Sequence, residues 1–337
     1  MKIPYAWSRL LPGKLFARWR MRGDWDLRAR ENAMYYIDCG HGEDTATFWE
    51  SGVADVERLV LRGVELGPGA AVLEIGCGMG RLLRPFVERS SRVIGLDISR
   101  EMITRARQSL PAVPQLELYT TDGSLRPVAD ATVDFVYSFI VFQHVPVKAA
   151  ICRYLREAGR VLRRGGLLRF QIDGRAPDPR IRLDSWNGVR WRADELEAMI
   201  RAAGLRVLET TAPGTQYMWV TAIRDPEGNP NVRHRPKAWR SEAVEALTRR
   251  LGLDSGAAAR VVEGELSVRA LAEPFLEASR QMAPEVYVAA AYELLLGRPA
   301  DAEGLRFYAG EIASGIDRTN VVDCLISSAE FDDRYRA

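Results

Sequence analysis

The segment Val72-Leu73-Glu74-Ile75-Gly76-Cys77-Gly78-Met79-Gly80-Arg81 constrains this chain more than any other. An apolar run enters it from Ala70, an acid stands two places before the first of three alternate glycines, and a helical pattern follows. Physically, this reads as a buried strand that ends in a tight turn and opens onto a helix. Glycines let a ligand lie against bare backbone, and a helix start offers unpaired N–H groups. A dinucleotide site shares this grammar but spaces its glycines G-x-G-x-x-G. Here the spacing is G-x-G-x-G, and Glu74 would repel a pyrophosphate but can pair with a cationic amino-acid ligand. The pattern points away from NAD and toward a nucleoside that carries an amino acid.

The downstream segments agree. Arg92-Val93-Ile94-Gly95-Leu96-Asp97 is a second short apolar strand ending in an acid, 21 residues after Gly76, where it can accept both hydroxyls of a ribose. Leu116 to Thr121 alternates as a strand and runs into Asp122-Gly123, well placed to receive an adenine amino group. Val133 to Ser138 forms a fourth strand, followed by Phe139-Ile140-Val141-Phe142-Gln143-His144-Val145. A fifth, Leu167 to Ile172, comes after a helix ending Arg163-Arg164-Gly165-Gly166.

Residues from about Phe48 to Arg224 resemble a class I S-adenosylmethionine (SAM)-dependent methyltransferase. The resemblance rests on Glu74-x-Gly76-x-Gly78-x-Gly80, Asp97, Asp122-Gly123, Ser138 to His144, and the Leu162–Leu167 turn, five motifs in order. It implies an α/β fold: a Rossmann-like seven-stranded sheet, mostly parallel with its last strand antiparallel, and helices on both faces. It also implies SAM as cofactor, held by Glu74, Gly76, Cys77, Gly78, Gly80, Arg81, Asp97, Ile98, Asp122, Gly123, Ser138 and Phe139.

With 337 residues, the chain has room for a core domain and an accessory one. At 47% hydrophobic and 27% charged residues it reads as an ordinary globular protein. A net charge of +2 gives no argument for nucleic acid. Cys39, Cys77, Cys152 and Cys324 form no C-x-x-C pair, so neither zinc nor a disulfide framework is indicated, and no acid cluster marks a magnesium site. No metal is expected. No apolar run approaches the roughly 18 residues that span a bilayer, and no signal-peptide core is evident. The cytoplasm is the default.

Four segments follow along the chain: an N-terminal arm with lid helices (1–47), the SAM-binding domain (48–224), a linker (225–238) and a C-terminal all-helical domain (239–337). Met1 to Arg22 holds six basic residues, no acid, and Leu15, Phe16 and Trp19 on one helical face. It reads either as an interfacial segment making weak contact with anionic lipid or as an arm packing its aromatics on the domain. A helix is expected over Asp44 to Leu66. In the resembled family such N-terminal helices close over the cofactor, which makes Tyr35, Tyr36 and Phe48 candidates to line the site. The Asp173–Trp191 loop, rich in Pro and charge and carrying Trp186, is the expected acceptor-specificity element. A helix over Ala193 to Ala203 and a hairpin of Leu205 to Thr211 and Gln216 to Ile223 close the domain.

Beyond the Pro/Gly/Asn-rich stretch Asp225–Asn231 the pattern turns helical. Leu296-Gly297-Arg298-Pro299-Ala300-Asp301-Ala302-Glu303-Gly304 and Ser328-Ala329-Glu330-Phe331 resemble a small helical domain of unknown function. That domain is often attached to bacterial surface-polysaccharide proteins. Asp301 is read as a helix cap and Gly297 as a helix end, rather than as part of a calcium loop.

The methyl group of SAM sits on a positively charged sulfur, so its leaving group is already activated. The protein must align an acceptor and exclude water. A hydroxyl acceptor also needs a base, and His144, at the exit of the fourth strand, is the best-placed histidine. The alternative is that His144 merely hydrogen-bonds backbone, with Gln143 orienting the acceptor. The expected activity is methyl transfer to a small molecule or glycan, with O-methylation as the expected sense. N- or C-methylation of a lipid-like or quinone-like acceptor, and a non-catalytic SAM-binding scaffold for glycan assembly, are the alternatives. Nothing in the sequence sets the oligomeric state.

Overall fold

The computed structural model describes residues 13–40, 44–225, 228–235, 238–263 and 265–336. The basic arm before residue 13, the side chains of Leu15, Phe16 and Trp19, and His41 lie outside the described residues, so the two readings of the arm stay where the sequence left them.

Among the described residues the strands run β1 Val64–Leu66, β2 Ala71–Ile75, β3 Arg92–Asp97, β4 Leu116–Thr120, β5 Val133–Ser138, β6 Leu162–Ile172, β7 Arg206–Thr211, β8 Met218–Ile223 and β9 Val232–His234. Seven form one sheet in the order β4-β3-β2-β5-β6-β8-β7. The β4-β3-β2-β5-β6 run is parallel throughout, with Val72 opposite Val93 on one side and Phe135 on the other. β2 and β5 are buried along their whole length, which is why both faces carry apolar residues rather than alternating with exposed polar ones. The chain order reverses at β2, whose neighbours are β3 and β5. Ligand crevices open at the carboxyl ends of strands at such a switch point.

Helices α1 Gly13–Ile37, α2 Thr45–Asp55, α3 Arg84–Val87, α4 Arg100–Ser109, α5 Lys148–Val161 and α6 Ala193–Ala202 accompany the sheet. α4 starts where Ser99 Oγ accepts from Met102 N (3.1 Å). α5 buries Ile151, Leu155 and Ala158, an i, i+4, i+7 stripe that faces the core.

Two elements differ from the sequence expectation. The helix expected over Asp44 to Leu66 ends early: α2 gives way to a single π turn at Val56–Val60, and the chain then enters β1. Gly63 in the left-handed region (φ 68) allows the reversal, and β1 pairs antiparallel with β9. The fifth sheet strand begins at Leu162, five residues before expected, with a register shift against β5 between Val133 and Phe135.

The stretch after the hairpin is anchored. Asp134, fully buried on β5, accepts from Ala71 N (2.8 Å), Asn229 Nδ2 (3.0 Å) and Arg163 Nη1 (2.7 Å), with Asn231 Nδ2 at 3.4 Å. These bonds hold 229–231 against the sheet before β9 pairs with β1.

The compact units do not follow chain order. One takes the described residues up to Ile172 with Pro177–Glu209 and Val220–Arg235; the other takes Asp173–Ala176, Thr210–Trp219 and the described residues from 238 onward. Among the described residues the second unit contains the helices α7 Ser241–Arg250, α8 Ser255–Val262, α9 Val268–Leu271, α10 Glu273–Ala278, α11 Pro284–Leu296, α12 Ala302–Ala313, α13 Thr319–Ser327 and α14 Ala329–Tyr335. Its core gathers Val244, Leu247, Tyr287, Leu295, Val322 and Phe331. Gly297 (φ 62) ends α11, and Asp301 caps α12 through Gly304 N (2.7 Å). Arg175 donates to Asn320 Oδ1 (2.9 Å), which bonds the 173–176 segment into this unit, and within the tail Arg269 pairs with the buried Asp323 (2.8 Å).

Asp134→Ala should leave the Ala71 N–H and the buried Asn229 amide unpaired. A loss of about 1–3 kcal/mol in unfolding free energy is expected for each group stranded, readable by urea denaturation; an unchanged midpoint would show that water replaces the carboxylate.

Candidate cofactor and acceptor site

The crevice at the ends of β2, β3 and β5 opens into a cavity of about 180 Å³. The chain leaves β2 through Gly76 (φ 79) and Gly78 (φ 53). A Cβ on Gly76 would stand 2.4 Å from Val141 Cγ2, and one on Gly78 2.8 Å from Ile37 Cδ1. Both glycines line the cavity, and a side chain at either would collide with Val141 or Ile37, which line it too. Gly76 N is fixed on Leu96 O (2.7 Å).

Asp97 joins the two turns. Its Oδ2 accepts from Gly78 N (2.9 Å) and its Oδ1 from Ser99 N (2.7 Å). Burial nevertheless pushes its carboxyl up to about 6. Glu74 is buried below the turn, where the Tyr137 hydroxyl donates to Oε2 (3.0 Å). Burial raises this carboxyl to about 8, against the lowering effects of Tyr137 and Arg81. Two acids in a dry site thus wait for a cationic, hydroxyl-rich ligand, and the bare glycine cradle beside them fits a SAM-sized nucleoside.

Of the residues expected to hold the cofactor, Glu74, Gly76, Cys77, Gly78, Arg81, Asp97, Ile98, Asp122, Gly123 and Phe139 line this cavity together. Gly80 and Ser138 do not. Gly80 shapes the turn behind, donating from N to Cys77 O (2.8 Å), and the fully buried Ser138 hydroxyl donates to Ile75 O (2.9 Å), tying β5 to β2. Arg81 is engaged by the protein: it pairs with Asp55 (2.7 Å) and Asp38 (3.3 Å) and donates to Ser51 (2.9 Å).

α1 covers the crevice. Arg22 donates to Ile98 O (3.0 Å) and Thr121 O (2.9 Å), at the ends of β3 and β4. Asp26 Oδ1 accepts from Ser99 Oγ (2.6 Å) and Glu101 N (3.2 Å). Trp25, Tyr36 and Ile37 thereby reach the cavity, while the helix breaks at Asn32, whose backbone is extended. Tyr35 and Trp186 are exposed beside them, Tyr36 standing edge-on to both rings. Trp25, Arg22 and Asp26 went unmarked in the sequence, although their clustering within about one helical turn of each other was a usable signal.

His144 is buried on a short 3₁₀ turn after β5. Its Nδ1 lies 2.7 Å from Trp186 O, so that nitrogen carries the proton, and Nε2 receives the Gln143 amide at 3.3 Å. Gln143 Oε1 in turn accepts from Gln171. Burial depresses the imidazole to about 4. The ring packs between Trp25 (5.5 Å) and Trp186 (5.0 Å), and neither His144 nor Gln143 is among the residues lining the cavity. The 184–191 loop docks alongside, Gly188 N donating to Gln143 O (2.8 Å) and Val189 N to Val145 O (3.0 Å). Among the described residues no helix is long and apolar enough to cross a membrane.

Comparison with known proteins agrees with this geometry. A methyltransferase-domain family profile matches residues 73–170, and the profile of a domain of unknown function (DUF4214) matches 271–335. The chain is 30% identical over 256 residues to a trans-aconitate 2-methyltransferase of Azoarcus sp., covering 74% of this chain and 88% of that protein. It is 37% identical over 166 residues to an uncharacterized 37.1 kDa protein in transposon TN4556 of Streptomyces fradiae, spanning 48% of this chain and 45% of that one. An O-methyltransferase of Pyrenophora dematioidea is 26% identical over 208 residues, 57% of this chain and 76% of that one. Among solved structures, magnesium protoporphyrin IX methyltransferase from Synechocystis PCC 6803 superposes with a TM-score of 0.45 at 20% identity, over 63% of this chain and all of that one. The glycine turn, the acid that braces it and the near-full-length likeness to the Azoarcus enzyme place this chain among the SAM-dependent methyltransferases.

Proposed function

We propose that the protein transfers the methyl group of SAM to an oxygen of a small-molecule acceptor bound beneath α1. One observation carries this reading: a single cavity runs from the glycine turn and its two acids to the aromatic rim of Trp25 and Tyr36. In it Asp97 takes the ribose hydroxyls, Glu74 faces the cationic amino-acid end, and Asp122-Gly123 receives the adenine. When bound, SAM supplies an activated methyl on a positively charged sulfur. The chain's own task is to position an acceptor and keep water out, which the α1 cover and the aromatic rim favour.

His144 enters this reading as a positioning residue. Both ring nitrogens are engaged, and the ring holds Trp186 and the 184–191 loop beside the acceptor end. Tyr35, Tyr36, Gln143 and Trp186 are proposed to frame the acceptor, directly or through that loop. The relatives' names support an oxygen acceptor: one is an O-methyltransferase and another a malonyl-[acyl-carrier protein] O-methyltransferase. A glycan acceptor rests on the tail's resemblance alone, and the small aromatic cavity favours a small molecule. The segment from about residue 239 is proposed as an accessory helical domain joined through 225–238. Residues 173–176 and 210–219 group with it, so removing the tail would also disturb the hairpin.

Release of S-adenosylhomocysteine across panels of carboxylates, phenols, sugars and amines tests the activity; binding of SAM with no turnover in any panel would favour a scaffold instead. Asp97→Asn should weaken SAM binding roughly 10- to 150-fold, the span of about 1.5–3 kcal/mol for hydrogen bonds to a charged group. Calorimetry measures this, and unaltered affinity would remove Asp97 from the site.

With its imidazole held near 4, His144 stays neutral from about pH 5 upward, so kcat should show no inflection near 6.5. Below that pH the unfolded chain takes up a proton that the fold refuses, so stability should fall as pH drops from about 6.5 toward 4. His144→Asn should restore stability at low pH relative to wild type and lower kcat less than the roughly 10²–10⁴-fold expected on losing a base. A rate that titrates near neutrality and collapses in the variant would establish the base instead.

A further inference from the structure

Arg28 stands behind the aromatic rim of the cavity, touching two lining residues without itself lining it. Its guanidinium lies over the rings of Trp25 (4.8 Å), Trp186 (5.2 Å) and Tyr36 (5.9 Å), two of which line the cavity. Nη1 donates to Ser185 O (3.2 Å) and Ser185 Oγ (3.1 Å), and that hydroxyl donates to Asp24 (2.6 Å). Among the described residues no carboxylate lies within ion-pair distance of Arg28, although Arg20 and Arg30 on the same helix each have one. Aromatic rings fix the plane of this cation without neutralising it, which leaves Nε and Nη2 to serve as a fork for a planar anion. A second guanidinium, the exposed Arg153, lines the same cavity.

The acceptor must also react without a base. His144 has both nitrogens bonded, and the Tyr36 hydroxyl is spent on Glu31 (3.0 Å). Neither group at this rim is free to take the proton of a hydroxyl acceptor, and a protonated amine would be repelled by Arg28. A carboxylate needs neither: it is already an anion, and it fits the guanidinium fork.

We propose that the acceptor is a carboxylate, anchored by Arg28 inside the Trp25–Tyr36–Trp186 cage and methylated on its oxygen. One carboxylate oxygen attacks the methyl carbon as the carbon–sulfur bond breaks with its electron pair left on sulfur. The anion and the sulfonium become a neutral methyl ester and a neutral thioether, with no proton moved. This rests on the methyl-transfer reading above and specifies its substrate class.

The test uses the full chain. Succinate, benzoate and octanoate are titrated into protein saturated with S-adenosylhomocysteine, with glucose 6-phosphate and glucose as the competing chemistries. At least one carboxylate should bind, with its Kd rising about tenfold or more in Arg28→Met and recovering in part in Arg28→Lys. Affinity for S-adenosylhomocysteine should hold in both, and Arg28→Gln replaces the Met variant if that one does not fold. Labelled turnover should yield a product that releases methanol in mild alkali, as methyl esters do and ethers and methylamines do not. Failure of all three carboxylates to bind, preferential binding of the phosphate ester, or a Kd indifferent to Arg28 overturns the proposal. An alkali-stable product also overturns it while leaving methyl transfer standing. Absence of S-adenosylhomocysteine release with every acceptor class would instead fell the methyl-transfer reading.

Discussion

The carboxylate of Asp97 is the joint on which the site depends. It ends β3, yet its two oxygens brace separate turns, Gly78 N on one side and Ser99 N on the other. The first turn is the glycine cradle; the second starts α4, and the Ser99 hydroxyl carries the connection on to Asp26 of α1. One buried acid thus sets the cradle, the start of a helix and the seat of the cover. The burial that lets it do so raises its own carboxyl to about 6, and only the backbone N–H groups hold that cost down. A ligand with hydroxyls at this point offers the acid the solvation that it lost.

Around that joint, charge is handled in two ways. Buried acids of the fold are matched: Asp134 by Ala71 N, Asn229 and Arg163, and Asp323 by Arg269. Arg81, which sequence alone would assign to the ligand, is matched by Asp38 and Asp55. Glu74 and Arg28 stand out against this pattern. Glu74 has only a neutral phenol as direct partner, and Arg28 has aromatic rings and a serine. A buried acid under the glycine turn and a cation behind the aromatic rim suit a cationic cofactor and an anionic acceptor.

The aromatic cluster explains why His144 loses its obvious role. Trp25 comes from α1, Trp186 from the 184–191 loop, and the imidazole between them receives contacts from both. Desolvation there depresses its proton affinity more than the Trp186 carbonyl restores it. A histidine at the exit of a strand invites reading as a base. What fixes its chemistry is a tryptophan 42 residues further along the chain, bonded through its backbone.

The sequence by itself determined the elements whose signal is local. The strands β2, β3 and β5 stood out as short apolar segments and β4 as an alternating one, the glycine turn by its spacing, and Asp97 and Asp122 by their places at strand ends, because burial of a parallel sheet and the backbone freedom of glycine are written residue by residue. The cap at Asp301 and the helix end at Gly297 belong to the same class. Tertiary structure alone decided what depends on partners distant in the chain. β1 exists because β9 pairs with it across some 170 residues, which is why a helix was expected there. The segment at 229–231 reads as a linker from composition, but Asp134 on β5 docks it. The Ser138 hydroxyl bonds Ile75 O, Arg81 is claimed by two acids, and Arg28 has no ion-pair partner among the described residues. Such outcomes follow from which side chains meet in space, and no local pattern records them.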